Sequence, residues 1–411
     1  MGVIATRFGL RSHHDRHVCT VRPRRRLSAA LAGAVCLVLM MIATAVPAPG
    51  QTASPAPMRS GVAFGDELVW KSDAQLAESL DSATALGVNW IRVDLSWADI
   101  QYDGPTSYHW ELFDRVLAAA SARNLQVIAV LAYTPQWARR AGCPNQSCPP
   151  RDTQEFARFA QLAATRYAPL NLHHWEIWNE PNIPVFWNPK PDAAAYTRLL
   201  KATVVALRQT DPKATLLLGG LSASDGTGVS IAQVPFLAEV TRLGGTQLVD
   251  VLAFHPYTFP VLASTAPIDP RGWRTSWSTI HGNLSMPAGQ FYSLRQVLNS
   301  YGLSRMPIWV TEYGGPTGGP GAASDGNPAS IGVATHVTEQ RQAELATDVV
   351  KTAMADPTIG ALVWYSEKDR SFRADDTENF FGLRRADGTR KPAWYALRDA
   401  LQSQRSLRPT G

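Results

Sequence analysis

The sequence has few of the residues from which metal and redox sites are built. Only four of its 411 residues are cysteines, and two of these, Cys19 and Cys36, fall in an arginine-rich N-terminal segment. There is no H-E-x-x-H motif and no cluster of histidine and aspartate, which argues against a metal-dependent hydrolase. No G-x-G-x-x-G follows the first apolar strand pattern, so a dinucleotide-binding fold is not indicated either. We therefore expect no metal and no cofactor.

Charge is also scarce outside that N-terminal segment. The formal net charge is +5, but residues 1–50 hold seven arginines and a single acid. The remaining residues carry 32 basic and 33 acidic side chains, so the body of the protein is close to neutral. A nucleic-acid-binding protein would show a basic patch. The sequence predicts no nucleic-acid partner, and it leaves the oligomeric state open.

The N-terminal segment has the pattern of an export signal. Four arginines between positions 22 and 26 precede an uncharged apolar run over 27–46, in which Ala43-Thr44-Ala45 matches a cleavage site. This pattern predicts a signal peptide over residues 1–46. Because about 20 apolar residues also span a bilayer, a retained membrane anchor is the alternative. Either one places the protein outside the cytoplasm, secreted or in the cell envelope. Residues 47–58, rich in proline, alanine and serine, are expected to form a disordered linker.

Two cysteines remain in the body of the chain, Cys143 and Cys148, within the sequence CPNQSC. A close pair in the proline-rich loop of an exported protein is typical of a disulfide. A metal site would need two further ligands nearby, and the sequence shows none. We predict a disulfide between Cys143 and Cys148.

Short apolar runs alternate with amphipathic helical patterns between residues 60 and 403. This alternation is typical of a parallel sheet, and eight strands are the number that closes a barrel. We therefore predict an α/β fold, a single (β/α)8 TIM barrel over residues 59–403, with long loops after several strands and a flexible tail over 404–411. The predicted strands cover 62–64, 90–94, 127–131, 174–178, 215–218, 249–254, 308–311 and 361–365. The clearest helical patterns cover 74–86, 110–123, 153–167, 193–209 and 339–354.

Two of the predicted strands end on a glutamate among aromatic residues. The sequence WEIWNEPN contains Glu180 and the sequence IWVTEYGG contains Glu312. The carboxyl ends of barrel strands meet at the face where active sites are built. Hydrolysis of a glycosidic bond requires two carboxyl groups, one protonated and one ionised. We predict that Glu180 and Glu312 form such a pair, and that they cleave a polysaccharide or an oligosaccharide.

Further residues are expected to support this pair. Arg92 lies in an apolar strand and is expected to form a buried ion pair with Glu176. Tyr257 is expected to donate to a carboxylate and keep it ionised. His255 is expected either to support the site or to be a core histidine. Because side chains alternate along a strand, we expect Glu176, Trp178 and Glu180 to share one side, with Asn179 also reaching the mouth where the strand bends. Aromatic rings near strand ends are predicted to contact sugar: Trp137, Trp178 and Trp364.

These motifs resemble those of clan A glycoside hydrolases, in particular families 39 and 5. The resemblance rests on Asn179-Glu180-Pro181, on the sequence WVTEYG around Glu312, and on the order and spacing of the two glutamates. It implies a retaining mechanism in which Glu180 is the acid/base, Glu312 is the nucleophile and Asn179 binds the sugar 2-hydroxyl. Family 5 cellulases usually carry a histidine near the end of the third strand. This sequence has none there and looks more like family 39 at that point.

Two other functions use many of the same residues. A transglycosylase of the cell envelope would differ only in transferring the sugar to another sugar rather than to water. A non-catalytic carbohydrate-binding barrel would keep the aromatic residues but would not need both glutamates. The sequence predicts a carbohydrate as the partner and does not predict which sugar, which linkage, or whether cleavage is internal or terminal.

Overall fold

Eight parallel strands form a closed barrel in the computed structural model, which describes residues 58–265, 277–282, 291–330 and 333–406. The strands are β1 (Arg59–Gly65), β2 (Trp90–Ser96), β3 (Gln126–Ala132), β4 (His174–Asn179), β5 (Thr215–Ser222), β6 (Val251–His255), β7 (Ile308–Tyr313) and β10 (Ile359–Tyr365); two short strands outside the barrel lie between the last two. Each strand pairs with its neighbours in the ring order β1-β10-β7-β6-β5-β4-β3-β2. All eight predicted strands are present, and the predicted (β/α)8 barrel is confirmed.

Helices surround the barrel, and polar residues mark where several of them begin. Ser72 caps the first helix through a capping box with Gln75, and Asp192 caps the fifth helix by accepting from the backbone N–H of the third helical residue. The five predicted helices are present within a few residues of their expected bounds. The helices are α1 (Asp73–Leu86), α2 (Trp97–Ile100), α3 (Glu111–Ser121), α4 (Thr153–Tyr167), α5 (Ala193–Thr210), α6 (Gln233–Arg242), α7 (Leu294–Ser300), α8 (Glu339–Ala355) and α9 (Pro392–Ser406).

The N-terminal end of the barrel is filled by an aromatic cluster. The rings of Trp90 and His174 meet edge to face with centroids 4.6 Å apart, and Trp309 lies beside both. The Arg59 guanidinium covers the Trp309 ring at 4.8 Å. Burial lowers the pKa of His174 to about 4, and the charge of Arg59 acts in the same direction. The His174 ring is therefore neutral at neutral pH. Because this cluster fills the N-terminal end of the barrel, the open end is the C-terminal one.

Several segments that leave the C-terminal ends of the strands are long. The loop after β7 contains two short strands, β8 (Ala322–Ser324) and β9 (Ala334–Val337), which pair in parallel with each other. The predicted disulfide is confirmed, because Cys143 and Cys148 are bonded in the loop after β3. The same loop is tied to its neighbours through the carbonyl oxygens of Gln146 and Ser147, which accept from Thr134 and Asn188.

The ends of the chain lie partly outside this description. The predicted signal peptide over residues 1–46, the linker up to residue 57 and the last five residues, 407–411, lie outside the described residues. The final helix continues to Ser406, so residues 404–406 of the predicted flexible tail are helical. Among the described residues, none of the helices combines the length and apolar character that crossing a bilayer requires.

Replacing both Cys143 and Cys148 by serine should destabilise the protein modestly. The disulfide closes a short loop, so its removal should lower the free energy of unfolding by about 2 kcal/mol. Urea unfolding followed by tryptophan fluorescence would measure the change. Dithiothreitol provides the control: it should lower the stability of the wild type by the same amount and leave the double variant unchanged. A wild type whose stability does not respond to reduction would contradict the prediction.

Candidate active site

The C-terminal ends of the strands surround a cavity of about 650 Å³. Glu180 and Glu312 both line it, although 132 residues separate them in the chain. Arg92 from β2, Asn179 from β4 and Tyr257 from the loop after β6 line the same cavity. The structure therefore brings five of the residues named from the sequence together at one end of the barrel.

Arg92 connects most of these side chains. Its Nε and one terminal nitrogen donate to the two oxygens of Glu176 at 2.8 and 3.0 Å, so the predicted ion pair is present. Its other terminal nitrogen donates to Glu312 Oε1 at 2.6 Å, and a further bond of 2.8 Å reaches Asn179 Oδ1. Arg92 and Glu176 are almost completely buried. A buried charge must be paired and hydrogen-bonded, and this network provides both.

Two glycines of β5 make room for the network. A Cβ atom on Gly220 would lie 2.1 Å from His255 Nε2 and 2.9 Å from Glu176 Oε1. On Gly219 it would lie 2.5 Å from the carbonyl oxygen of Ile177. The Gly220 amide also donates to Glu176 Oε1 at 2.8 Å. Any larger residue at position 220 would displace the imidazole or the carboxylate, so the side chains of the site require glycine there.

The end of β4 departs from regular alternation. Trp178 has φ of +74° and Glu180 has φ of +40°, both in the left-handed region that side chains other than glycine rarely adopt. As a result Ile177 and Trp178 both pack outside the barrel, and Asn179 and Glu180 both face the cavity. The expectation that Glu176, Trp178 and Glu180 share one side is therefore wrong for Trp178. Strained backbone of this kind is typical of functional sites.

Glu312 is surrounded by hydrogen-bond donors. Its Oε1 accepts from Arg92, and its Oε2 accepts from the Tyr257 hydroxyl at 2.7 Å. Burial alone would raise the pKa of Glu312, but the charges of His255 and Arg92 and the bonds from Tyr257 and Arg92 outweigh burial. The pKa of Glu312 therefore lies below its ordinary value, and the group is an anion at neutral pH.

Glu180 has a different neighbour. Its Oε1 is bonded to Nδ1 of His255 at 2.7 Å, while Nε2 of the same ring lies 3.0 Å from the Thr311 hydroxyl. Burial would lower the pKa of His255, but the charge of Glu312 and the contact with Glu180 outweigh burial and raise it. One oxygen of each glutamate and a ring nitrogen of His255 all lie within 4.8 Å of one another. The two carboxyl groups thus face each other across a short gap.

The same three side chains, Glu180, His255 and Glu312, have the spacing of metal ligands. However, both oxygens of Glu312 already accept hydrogen bonds, and the Arg92 guanidinium lies directly against one of them. A cation would have to displace these bonds and lie next to a positive charge. These contacts fit two carboxyl groups that are hydrogen-bonded to neighbouring side chains better than they fit the ligands of a metal ion.

The three tryptophans predicted to contact sugar do not line the cavity. Trp178 and Trp364 are at most 1% exposed, so the prediction of a sugar-facing ring is wrong for both. Trp178 donates to the Phe186 carbonyl, and Trp364 packs on Tyr313 because alternation along β10 turns it outward. Trp137 packs edge to face on Trp97 and donates to the Gln101 carbonyl. Phenylalanines and tyrosines line the cavity in their place: Tyr133, Phe186, Tyr257, Phe259, Tyr365 and Phe381.

Other lining residues were not identified from the sequence. Asp94 accepts from the Tyr133 hydroxyl at 3.1 Å, and burial, with the nearby charges of Asp66 and Glu312, raises the pKa of Asp94 to about 7. Two-residue periodicity from Arg92 along β2 would have placed Asp94 on the same face. Arg370 and Glu378 lie in the loop after β10, where no periodic pattern indicates which side chains face the cavity.

A comparison with protein families identifies one match. The family model described as Cellulase (glycosyl hydrolase family 5) matches residues 50–364, which is most of the chain. No curated protein sequence matches the chain significantly.

Solved structures share the fold at low sequence identity. A family 39 glycoside hydrolase from the gut symbiont Bacteroides cellulosilyticus superposes with a TM-score of 0.58 and 19% identity, over 84% of this chain and 63% of that chain. A GH5_18 protein from Streptomyces cattleya, solved with GlcNAc, superposes with a TM-score of 0.59 and 19% identity, over 86% of this chain and 82% of that chain. Xylanase 10B from Thermotoga petrophila, solved with xylobiose, superposes with a TM-score of 0.53 and 14% identity, over 84% of this chain and 94% of that chain. The chain thus spans less than two thirds of the family 39 structure. The predicted resemblance to families 39 and 5 is confirmed, and at these identities the structures establish the barrel alone.

Replacing Tyr257 by phenylalanine should raise the pKa of Glu312, because one donor is lost while the ring contacts remain. The folded pKa of Glu312 lies below its ordinary value of 4.5, so the stabilisation it provides is present above that pH and is lost as the pH falls through the folded pKa. The variant should be less stable than the wild type by about 1.5–3 kcal/mol at neutral pH. That difference should shrink below the ordinary value of 4.5.

Urea unfolding across a pH series would measure this change. Tyr313→Phe is a matched control, because the Tyr313 hydroxyl bonds the Thr258 hydroxyl at 2.8 Å rather than a carboxylate. The loss of stability caused by Tyr313→Phe should not change with pH. If the loss caused by Tyr257→Phe were equally independent of pH, then the pKa of Glu312 would not depend on the Tyr257 hydroxyl.

Proposed function

This chain belongs to the cellulase family, glycosyl hydrolase family 5, and from that membership we propose that it hydrolyses O-glycosidic bonds with retention of configuration. In this proposal Glu312 is the nucleophile and Glu180 is the acid/base. The substrate is a carbohydrate, and the enzyme acts outside the cytoplasm. The confirmed disulfide supports an oxidising compartment, and the structural relatives solved with GlcNAc and xylobiose support a sugar ligand.

The first step forms a glycosyl-enzyme. An oxygen of Glu312 attacks the anomeric carbon, and the bond from that carbon to the leaving oxygen breaks with both electrons going to the oxygen. Glu180 gives this oxygen a proton, so the leaving sugar departs as a neutral alcohol. The Oε1 of Glu180 is also hydrogen-bonded to His255 Nδ1 at 2.7 Å. Arg92 and Tyr257 keep Glu312 ionised and aim its two oxygens.

The second step releases the sugar. Glu180, now ionised, takes a proton from a water molecule, and the oxygen of that water attacks the anomeric carbon. The bond to Glu312 breaks, which restores the carboxylate and gives a product with the starting configuration. Asn179 is held by Arg92 beside the nucleophile, where its amide group can bond the sugar 2-hydroxyl.

The proposal rests on the short distance between the carboxyl groups of Glu180 and Glu312. Retaining enzymes place these groups about 5–5.5 Å apart, whereas inverting enzymes leave about 6.5–9.5 Å for a water molecule. Oxygens of Glu180 and Glu312 within 4.8 Å of each other favour retention. A carbohydrate-binding barrel would have no need for an ionised carboxylate held against a second carboxyl group. Transfer to a sugar acceptor uses the same residues, and analysis of products formed with an added oligosaccharide would detect it.

Glu312→Gln should abolish turnover, because the amide cannot attack the anomeric carbon. We expect kcat to fall by at least about 10⁴-fold on any 4-nitrophenyl glycoside that the wild type hydrolyses. The side chain keeps its shape, so thermal unfolding should show a folded protein. Glu344→Gln on the exposed face of α8 is the matched control and should behave as the wild type. Activity of the Glu312 variant close to the wild type would refute its role as nucleophile.

The loss of activity in Glu180→Ala should depend on how readily the leaving group departs without a proton. Loss of a general acid costs about 10²–10⁴-fold when the leaving oxygen needs a proton. The variant should therefore keep most of its activity on 2,4-dinitrophenyl glycosides and lose it on unactivated oligosaccharides. Added azide should accelerate its turnover and give a glycosyl azide of retained configuration, which proton NMR identifies. An azide product of inverted configuration would contradict the retaining mechanism.

A further inference from the structure

A small cavity of about 180 Å³ lies where the helices α4 and α5 begin, and it shares no lining residue with the catalytic cavity. Thr153, the first residue of α4, lines the small cavity, and so does Ala195 in the first turn of α5. The N-terminus of a helix is the positive end of its dipole, so both helices favour an anion here. Cavities that bind drug-sized ligands measure about 300–1,000 Å³, so this one suits a small group rather than a chain.

The small cavity and the catalytic cavity lie on two sides of the same loops. In the loop after β3, Gln146 and Ser147 line the catalytic cavity, whereas Pro149 lines the small one. In the loop after β4, Phe186 lines the catalytic cavity, and the next residue, Trp187, lines the small one. A ligand in the small cavity would therefore be held next to the active site without occupying it.

Three arginines line the small cavity: Arg140, Arg151 and Arg198. This concentration of positive charge is unusual in a chain whose residues 51–411 carry 32 basic and 33 acidic side chains. Arg140 precedes the disulfide loop and Arg151 follows it, and an antiparallel bridge between Arg139 and Pro150 holds the two ends of that loop together. Arg198 comes from α5. The tertiary structure thus brings three guanidinium groups to one place.

These guanidinium groups have few partners. Among the described residues, the side chains of Arg140 and Arg198 make no hydrogen bond and no ion pair. Arg151 meets a carboxylate only at 3.6 Å, that of Glu155. Like charges repel each other, so three guanidinium groups around one cavity are stabilised by an anion placed between them.

The indole of Trp187 supplies a further donor. Trp187 lines the small cavity and is 2% exposed, yet its N–H makes no hydrogen bond in the part of the chain that the structure describes. This nitrogen is not sealed from solvent, in contrast to the unpaired indole nitrogens of Trp364 and Trp394. An indole N–H can only donate, and a buried donor without a partner costs free energy. The ligand must therefore supply acceptors.

The charges around the small cavity match a doubly charged oxyanion. Of the described residues that line it, Asp152 is the only acid, and its Oδ1 already accepts from the backbone N–H of Gln154 at 2.8 Å. Three arginines and one aspartate give a net charge of +2. A phosphate monoester carries about −1.5 to −2 at neutral pH and has three acceptor oxygens, which guanidinium groups bind in pairs. A carboxylate has a single charge and two oxygens, so it would leave part of the donor set unused.

We propose that this cavity binds a phosphate monoester carried on a sugar residue. The guanidinium groups and the Trp187 N–H bind the phosphate oxygens, and apolar side chains beside them contact the carbon skeleton of the sugar: Pro149, Pro150 and Leu199. The site anchors a phosphate-bearing glycan next to the active site. It does not depend on the roles of Glu180 and Glu312, so it can be tested whether or not the proposed function holds.

Isothermal titration of glucose 6-phosphate into the full-length protein tests the site. In the double variant Arg140→Gln/Arg198→Gln, the affinity should fall by at least about tenfold, the factor that a hydrogen bond to a charged group contributes. Both side chains are exposed, so thermal unfolding should show a folded protein. Arg158→Gln is the matched control, because Arg158 is an exposed arginine of α4 that does not line the cavity, and it should bind as the wild type does.

Two further titrations identify the ligand group. Inorganic phosphate should bind through the same arginines but more weakly than glucose 6-phosphate, because it lacks the sugar. From about pH 7.5 to about pH 5 the affinity for glucose 6-phosphate should fall by up to about tenfold, because its second pKa is about 6 and most of it becomes singly charged. Glucuronate, which stays singly charged over this range, should bind more weakly at the higher pH.

Three results would overturn the proposal. The first is equal binding of glucose 6-phosphate by the wild type and the double variant. The second is binding of inorganic phosphate that is as tight as binding of glucose 6-phosphate, which would show that the sugar is not recognised. The third is binding of glucuronate that is as tight as binding of glucose 6-phosphate at the higher pH, which would show that the site does not select phosphate.

Discussion

The site depends on one buried guanidinium. Arg92 lies inside the barrel with almost no contact with solvent, and its nitrogens bond Glu176, Asn179 and Glu312. A cation in that position is tolerable only because these partners surround it, and Glu176 is in turn bonded by the Gly220 amide. The Arg92 guanidinium thereby holds Glu176 and Asn179 of β4 close to Glu312 of β7. Removing any one member would leave a buried charge or a buried polar group without its partner.

Two chemically identical carboxyl groups acquire different properties from their neighbours. Glu312 accepts from a permanent cation and from a phenol, so the pKa of Glu312 is lowered despite its burial. Glu180 is hydrogen-bonded to the imidazole of His255 at 2.7 Å. The two glutamates therefore have different hydrogen-bond partners, although their carboxyl groups lie close together. The backbone contributes as well, because left-handed geometry at Trp178 and Glu180 turns two successive side chains into the cavity.

The aromatic residues show where inference from sequence fails. A tryptophan near the end of a strand can face either the surrounding helices or the cavity. A shift of one residue along the strand changes which side it faces. On β10 the outward position belongs to Trp364 and the cavity position to Tyr365. On β4 a backbone irregularity sends Trp178 outward against the expected alternation. The aromatic side chains that line the cavity are consequently tyrosines and phenylalanines, several of them in loops whose paths no periodic pattern specifies.

The sequence by itself determined the eight strands, the five clearest helices, the disulfide, the Arg92–Glu176 ion pair and the two glutamates with their place at one end of the barrel. These features follow from apolar periodicity, from charged residues inside apolar strand patterns, from the spacing of the cysteines and from the rule that parallel strands present their carboxyl ends on one face. Only the tertiary structure decided that His255 contacts Glu180, that Gly220 must lack a side chain, and that Trp178 faces away from the cavity. These contacts link residues tens of positions apart, and they depend on side-chain directions that the order of the residues does not record.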